Sequence, residues 1–414
     1  MVESTVNRHR PPIQEARGPR HAVKRSRRQF FRRHRRDIAV IGLAFAVVFT
    51  WLAFSLGGAL LNPALGSSFS SRFAEWARGH GGASVVNWAE NEWYKHHPPP
   101  IGGTLPPGSI HNPPSNSQTI STSVQYLPTP KAMVPFASPI LPGEGAWRPV
   151  GRRVDGIPAI YETTLRPDSV HTSYVAGVAW IDTKLLRASL YSGSSIPGGG
   201  PFPQSAPIKT SAARTLVAAF NAGFLMSNAN GGYYTAGRTE IPLRQGVASF
   251  VVYRNGSSNV VAWGNSVTLN HSIVSVRQNL DLLVSNGRPV PGLEVNDTTK
   301  WGFTLGNAVY VWRSGLGITA NGALVYVAGP GLNITDLADL LVRAGAVRAM
   351  ELDINTDWVN FSSYKPSTPH GIAASSNGTE LLSAMTGTPA RYFESWWVRD
   401  FITMSAIQPK NGKS

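Results

Sequence analysis

Apolar residues are arranged in three different ways along this chain. Over residues 38–61 they are continuous: IAVIGLAFAVVFTWLAFSLGGALL has 24 residues and no charge. At about 1.5 Å per residue, such a helix crosses a hydrocarbon core about 30 Å thick. Over 69–94 the spacing is that of two short amphipathic helices. Phe73, Trp76 and Ala77 share one face, a GHGG break follows at 79–82, and Val85, Trp88 and Ala89 share another. From 118 onward short apolar runs alternate with polar and turn residues, the signature of strands. SYVAGVAWI (173–181) and LLRASLYSG (185–193) read as neighbouring strands. ASFVVYRNGSSNVVAWG (248–264) reads as a hairpin about Asn255-Gly256, and GLGITANGALVYVAG (315–329) as another about Asn321-Gly322. One helix stands out at 335–344, where Leu337, Leu340, Leu341 and Ala344 fall at i, i+3, i+4 and i+7 and Gly345 supplies the stop. The strand AVRAMELDI follows at once. The predicted fold is α+β, a mixed α/β domain with antiparallel-rich sheets and few helices behind a single transmembrane helix.

Charge gives the anchor a direction. Residues 1–37 carry twelve Lys or Arg against Glu3, Glu15 and Asp37, a net +9 out of +15 for the whole chain. Such an excess stays cytoplasmic, so the main domain is expected outside a single-pass cell-membrane anchor. A cleaved signal peptide, with Ala64-Leu65-Gly66 as its small-residue site, is the rival, but the apolar run and its leader exceed the usual signal regions. The basic tail is explained by topology and by anionic lipid headgroups, and the mildly basic remainder does not call for nucleic acid as a partner. Residues 96–117, HHPPPIGGTLPPGSIHNPPSNS, contain seven prolines and no acid, a composition suited to an extended spacer; His96 and His97 read as linker. The expected order is a tail at 1–37, a membrane helix at 38–61, a stalk at 62–95, a linker at 96–117 and a domain at 118–408. The chain has no cysteine, which excludes disulfides, thiolate metal sites and a cysteine nucleophile.

Candidate chemistry concentrates in AMELDINTDWVNF (349–361). Strand periodicity would put Glu351, Asp353 and Asn355 on one face. Two carboxylates one pleat apart repel, and burial would raise at least one pKa, as a general base or acid requires. A solvated sheet face, or an acid held by backbone N–H groups, is the plainer alternative. A second segment, TLVAAFNAGFLMSNANGGYYTAGR (215–238), runs from a short apolar strand through Asn221, Ala222, Gly223 and Phe224 into a loop of small residues, where backbone can approach a ligand. A third places Arg313 just before a glycine-spaced turn. Arginine grips phosphate through two parallel hydrogen bonds, although a surface arginine on a loop is the commoner case.

In order and spacing these three pieces resemble the phosphodiester glycosidase family, whose animal member removes N-acetylglucosamine from the phosphodiester that masks mannose 6-phosphate. FNAGF at 220–224 is similar to an Asn-Gly-Gly-Phe-Phe-like element, and RSGLG at 313–317 to an Arg-Thr/Ser-x-x-Gly element. The family's Asn-Leu-Asp-Gly-Gly-Gly-Ser strand corresponds to Glu351-Leu352-Asp353-Ile354-Asn355-Thr356-Asp357, which keeps the aspartate and loses the glycine run and the serine. The resemblance covers much of 213–361.

The resemblance implies hydrolysis of a sugar's anomeric bond to a phosphodiester. Asp353 would be general base or nucleophile, Glu351 its electrostatic partner, Arg313 a phosphate clamp, and Asn221 and Asn355 hydrogen-bond donors to hydroxyls or phosphate, with Gly223 giving close backbone approach. Trp358, Trp396 and Trp397 are candidate sugar platforms, buried tryptophan being the alternative for each, and His370 is a candidate phosphate or acid group. Asp353, Asn355 and Asp357 are candidate oxygen ligands, so a divalent cation is left open, and no organic cofactor is expected. The expected partner is a phosphate-containing envelope glycan. The loss of the glycines admits two rivals, a non-catalytic glycan-binding module and a scaffold beside the membrane. An anchored domain on a spacer reaching about 60 Å when extended would meet only substrates in or near the envelope.

Overall fold

The computed structural model describes residues 35–62, 68–82, 84–86, 88–89, 100–111, 125–194, 197, 202–295, 297–302, 304, 309–393 and 398–408. The basic tail up to residue 34, His96, His97, residues 112–117 of the expected linker, Trp396 and Trp397 lie outside them. The chain divides into two units, Met1–Leu61 and Asn62–Ser414. In the first, the helix Arg35–Leu60 contains the apolar span Ala39–Leu60, 22 residues long. It is long and apolar enough to cross a membrane, by length and composition, which a signal sequence would also satisfy.

The second unit begins with the helix Phe69–Ala77, continued as a kinked turn to Gly82 in which Gly81 has φ +86°. Helical backbone resumes at 84–86, so the GHGG break falls where the glycine spacing puts it. Residues 100–111 differ from a free spacer. The Gly102 N–H donates to Val170 O (2.7 Å), the Thr172 hydroxyl to Gly103 O (2.9 Å) and the His111 N–H to Thr164 Oγ1 (3.2 Å). Proline removes backbone donors, but the intervening N–H and C=O groups still seek partners and find them on the domain.

Eighteen strands form three antiparallel sheets. The largest runs, in spatial order, β1 (Arg148–Val154), β2 (Ile157–Leu165), β3 (Ala176–Ile181), β14 (Leu324–Leu332), β13 (Val311–Thr319), β15 (Ala346–Glu351), β11 (Leu282–Ser285) and β12 (Arg288–Pro289). A second contains β7 (Arg238–Ile241), β6 (Tyr233–Thr235), β10 (Ile273–Gln278), β8 (Ala248–Tyr253) and β9 (Ser258–Ala262). The third contains β17 (Gly378–Glu380), β16 (Phe361–Tyr364), β5 (Leu216–Asn221), β18 (Phe401–Ala406) and β4 (Leu186–Tyr191). Both NG hairpins form as the turn residues require, β8 with β9 and β13 with β14. The expectation that 173–181 and 185–193 are neighbours is corrected: β3 and β4 pair in different sheets. Asp182 breaks the run, accepting the N–H groups of Leu127 and Lys184 at 2.8 and 2.7 Å, and the chain turns across the core there.

The core lies between the large sheet and the sheet of β5, β16 and β18. Along β14, Leu324, Tyr326 and Ala328 face this shared core with Phe220, Phe361 and Ile402. Val325 and Val327 face the opposite side with Leu337, Leu340 and Leu341 of the helix Ile334–Arg343. Both faces of β14 are therefore buried, which is why its apolar run is unbroken. The helix starts on Asn333, whose side chain accepts the Asp336 N–H (2.7 Å) while Asp336 accepts the Asn333 N–H, and ends before Gly345 at φ +93°. Gly315 and Gly317 sit inside β13 rather than in a turn, and Arg313 precedes them on the same strand. A Cβ on Gly315 would meet Leu341 Cδ1 at 2.9 Å, and one on Gly317 would meet the Ala346 methyl at 2.6 Å. These glycines let the helix and β15 close on the sheet.

Candidate active site

β15 pairs with β13 as far as Glu351 opposite Gly315, and Ser314 extends the ladder by accepting the Leu352 N–H (2.8 Å) and donating its own N–H to Asp353 O (3.1 Å). The chain leaves the sheet there, so the strict alternation expected through Asn355 stops at Asp353. Asn355 closes the next turn, its Oδ1 accepting the Asp357 N–H (2.8 Å) and its carbonyl the Trp358 N–H (2.9 Å). Asp353 is held at the sheet end by four bonds. Oδ1 accepts the Asn355 N–H (2.9 Å), Oδ2 accepts Arg399 Nη1 (2.8 Å), and its carbonyl also accepts the Ser314 hydroxyl (2.7 Å).

Asp353 lines a narrow cleft together with Asn221, Gly223, Trp358, Arg391, Tyr392, Arg399 and Asp400. The cleft lies where β5 ends, β18 begins and the turn after Asp353 crosses between them. Asn221 ties the sheets together: Nδ2 donates to Ser314 Oγ (3.0 Å), and Oδ1 accepts from Tyr326 Oη (2.8 Å) and the Asn360 N–H (3.2 Å). At Gly223 a Cβ would meet Arg277 Cζ and Asn279 Oδ1 at 3.0 Å each. Its smallness serves an arginine behind the cleft as well as the cleft itself. Arg277 is fully buried and donates to Asp400 Oδ2 (2.8 Å), Gln278 O (2.6 Å) and Phe224 O.

The other candidates lie elsewhere. Arg313 is fully buried within β13, with Nε on Leu332 O (3.0 Å), Nη1 on Glu351 Oε1 (2.6 Å) and Nη2 on Val309 O (3.2 Å). Neither Arg313 nor Glu351 lines the cleft. Their pairing follows from the register, which sets Arg313 and Glu351 near each other on adjoining strands of a sheet covered on both faces. His370 is exposed on a loop held by Arg152, which donates to Pro369 O (3.3 Å) and Gly371 O (2.7 Å), and Asn355 is likewise absent from the lining. Among the described residues no group of three His, Asp or Glu is disposed to hold a metal ion.

Burial pushes the carboxyls at the end of β15 upward. Glu351 rises to about 7, burial outweighing Arg313, and the charge on Asp353 adds to the rise. Asp353 is raised by burial against the pull of Arg399 and of the backbone N–H groups. The repulsion read from their spacing operates, while each acid has its own guanidinium. Arg391 and Arg399 place their guanidinium carbons 4.7 and 4.3 Å from the ring centre of Trp358, within cation–π range. Trp358 itself is 4% exposed, so the platform expected for a sugar is occupied by two cations.

Sequence reasoning passed over Arg391, Tyr392, Arg399 and Asp400. Their signal was a cluster of charge among aromatics, RYFESWWVRD at 391–400, directly before the last apolar strand. Nothing in the local pattern says that this strand inserts between β4 and β5 and carries those residues to Asp353.

A family model described as phosphodiester glycosidase matches residues 214–353, the span from the start of β5 to Asp353. Over that segment the chain carries a phosphodiester glycosidase domain, as the resemblance implied. Among solved structures, the catalytic domain of zebrafish N-acetylglucosamine-1-phosphodiester alpha-N-acetylglucosaminidase, auto-inhibited by its pro-peptide, is 12% identical. That alignment covers 63% of this chain and 88% of that one, with a TM-score of 0.38. A hypothetical protein from Synechocystis is 14% identical over 63% of this chain and 64% of its own, with a TM-score of 0.33. No curated protein sequence matches the chain.

Proposed function

We propose that the second unit hydrolyses the bond between a sugar's anomeric carbon and a phosphodiester. The observation that carries this reading is Asp353. It is the last residue of the family match, buried, raised in pKa, and set in a cleft with a second carboxylate, Asp400, and two arginines. Asp353 acts as general base or nucleophile in its ionised form, held in place by Arg399 and the Asn355 N–H. The phosphate leaving group is a weak base that needs little protonation, so one carboxylate suffices for bond cleavage. Glu351 acts at a distance through its charge and Arg313 holds Glu351. Asn221 and Gly223 border the substrate, and Trp358 closes the wall behind it.

The apolar helix Ala39–Leu60 acts in this reading as an uncleaved anchor, and the twelve basic residues ahead of it orient the second unit to the outer side. The substrate is then a phosphate-containing glycan of the cell envelope.

Incubation of the detergent-solubilised chain with hexose and N-acetylhexosamine 1-phosphodiesters in ¹⁸O water tests the reaction. Release of free sugar with the label on its anomeric oxygen is expected. Label on the phosphate would mean P–O cleavage and overturn the assignment. Saturable binding with no release would favour the non-catalytic module that the missing glycine run allows, and neither binding nor release would leave the scaffold.

A further inference from the structure

Among the described residues, Trp358 Nε1, Arg391 Nη1, Tyr392 Oη and Asp400 Oδ1, all buried in the cleft lining, have no hydrogen-bond partner. Trp358, Tyr392 and Asp400 are 4%, 1% and 2% exposed. Leaving such atoms unpaired is costly, and native interiors contain few of them. Four around one cleft mark a place shaped for something the chain itself does not supply. Their chemistry is uneven. The indole N–H and the guanidinium are donors only, the phenol donates readily, and only Asp400 is an obligate acceptor when ionised.

Charge separates an anion from a neutral sugar as the occupant. Asp353 is paired with Arg399, and Asp400 with Arg277. Arg391 has neither an ion pair nor a side-chain hydrogen bond among the described residues; its described contact is the face of Trp358. Burial, and to a smaller extent the nearby Arg399, disfavours its charge, against the weaker opposing pull of Tyr392, Asp357 and Asp353. A buried arginine with no ion pair among the described residues, on the same indole as a second guanidinium, is a costly arrangement that a bound oxyanion would relieve. Arg313, the arginine that sequence spacing suggested as a clamp, has all three of its guanidinium nitrogens on protein acceptors and does not reach the cleft.

We propose that Arg391, the Trp358 indole N–H and the Tyr392 hydroxyl form a phosphate subsite, with the Asp400 carboxylate beside it accepting a hydroxyl hydrogen bond from the attached sugar. Three donors from two segments line the same cleft, Arg391 supplying the charge and the two aromatic groups neutral donors for the phosphate oxygens. This assignment rests on the glycosidase reading for its substrate, a sugar phosphodiester, and lies outside the family-matched segment, since Arg391 and Tyr392 follow residue 353. It divides the cleft in two, with Asp353 and Arg399 at the anomeric carbon and Arg391, Trp358 and Tyr392 at the phosphorus.

The test measures binding of inorganic phosphate to the full chain in detergent by calorimetry, alongside hydrolysis of a sugar 1-phosphodiester. The parent is expected to bind phosphate, and phosphate to compete with the phosphodiester but not with a neutral methyl glycoside. Tyr392→Phe removes one donor and keeps the ring; Trp358→Phe removes the indole N–H but shrinks the buried ring, so its fold is checked by thermal unfolding; each is expected to weaken phosphate binding about tenfold or more. Arg391→Met is expected to abolish it, with Arg391→Lys recovering part. Phosphate binding that the two phenylalanine variants leave unchanged overturns the subsite, as does a parent that hydrolyses the phosphodiester without competition by phosphate. Phosphate binding lost in these variants, in a parent that shows no hydrolysis, upholds the subsite and removes the proposed reaction instead.

Discussion

Two arginine–carboxylate pairs two residues apart along one stretch of chain have different surroundings. Glu351 and Arg313 meet at 2.6 Å inside the large sheet, both fully buried, with every arginine nitrogen on a protein acceptor. Asp353 and Arg399 meet at 2.8 Å at the sheet end and line the cleft. The first pair joins two strands of one sheet, whereas the second joins two sheets across the place where a substrate would lie. A buried ion pair is weak evidence of function by itself; what distinguishes the second is that it lines a narrow cleft beside polar atoms that have no partner among the described residues.

The contrast is broken most sharply by removing one carboxylate at a time. Asp353→Asn is expected to lower sugar release about 10²- to 10⁴-fold while thermal unfolding shifts less, because the asparagine amide oxygen can still accept the hydrogen bond of the buried Arg399. Glu351→Ala is expected to do the reverse. It leaves the Arg313 charge buried and unpaired, a loss of about 3–5 kcal/mol read by denaturant unfolding, with turnover of the molecules that remain folded falling far less than in Asp353→Asn, because Glu351 acts only through its charge from outside the cleft. Equal loss of activity in the two variants would end the distinction between them.

A smaller effect is expected where the helix meets the sheet. Gly315→Ala adds a methyl 2.9 Å from Leu341 and 3.2 Å from Leu337, an overpacking expected to cost about 1–3 kcal/mol. Unchanged stability would show that the glycine of the RSGLG segment answers to something other than helix packing.

The pH dependence of the two regions should also separate. Asp353 acts ionised and its pKa is raised above the ordinary aspartate value by burial. Turnover is therefore present above that raised pKa and lost as pH falls through it, so the acid limb of the rate profile lies above the usual aspartate range. The buried glutamates Glu351 and Glu162 titrate at about 7 in the folded protein against 4.5 ordinarily. Between about 4.5 and 7 the folded state holds protons that the unfolded chain has released, so stability declines as pH rises across that window. Thermal scans of the parent and of Glu351→Gln check this, the variant showing the shallower slope.

Much of this molecule was legible before any tertiary contact was known. The apolar run of the membrane-length helix, the two NG hairpins and the helix ended by Gly345 follow from local physics: continuous hydrophobicity, turn conformation and a 3.6-residue period. The aspartate at the end of β15 was legible as well, because a carboxylate after a helix and an apolar strand is conspicuous. What local pattern cannot state is which distant segment faces it. Arg313 lies nearer in sequence and has the better motif, but the register of β13 against β15 joins it to Glu351 in the interior. Arg399, Arg391 and Tyr392 come to Asp353 because the last strand inserts between β4 and β5. That pairing depends on hydrogen bonds between segments some 180 residues apart and on the burial they jointly achieve. Sequence by itself thus determined the elements and one acid, while the tertiary structure decided that acid's partners, since charge–charge neighbours are set by sheet order and not by spacing along the chain.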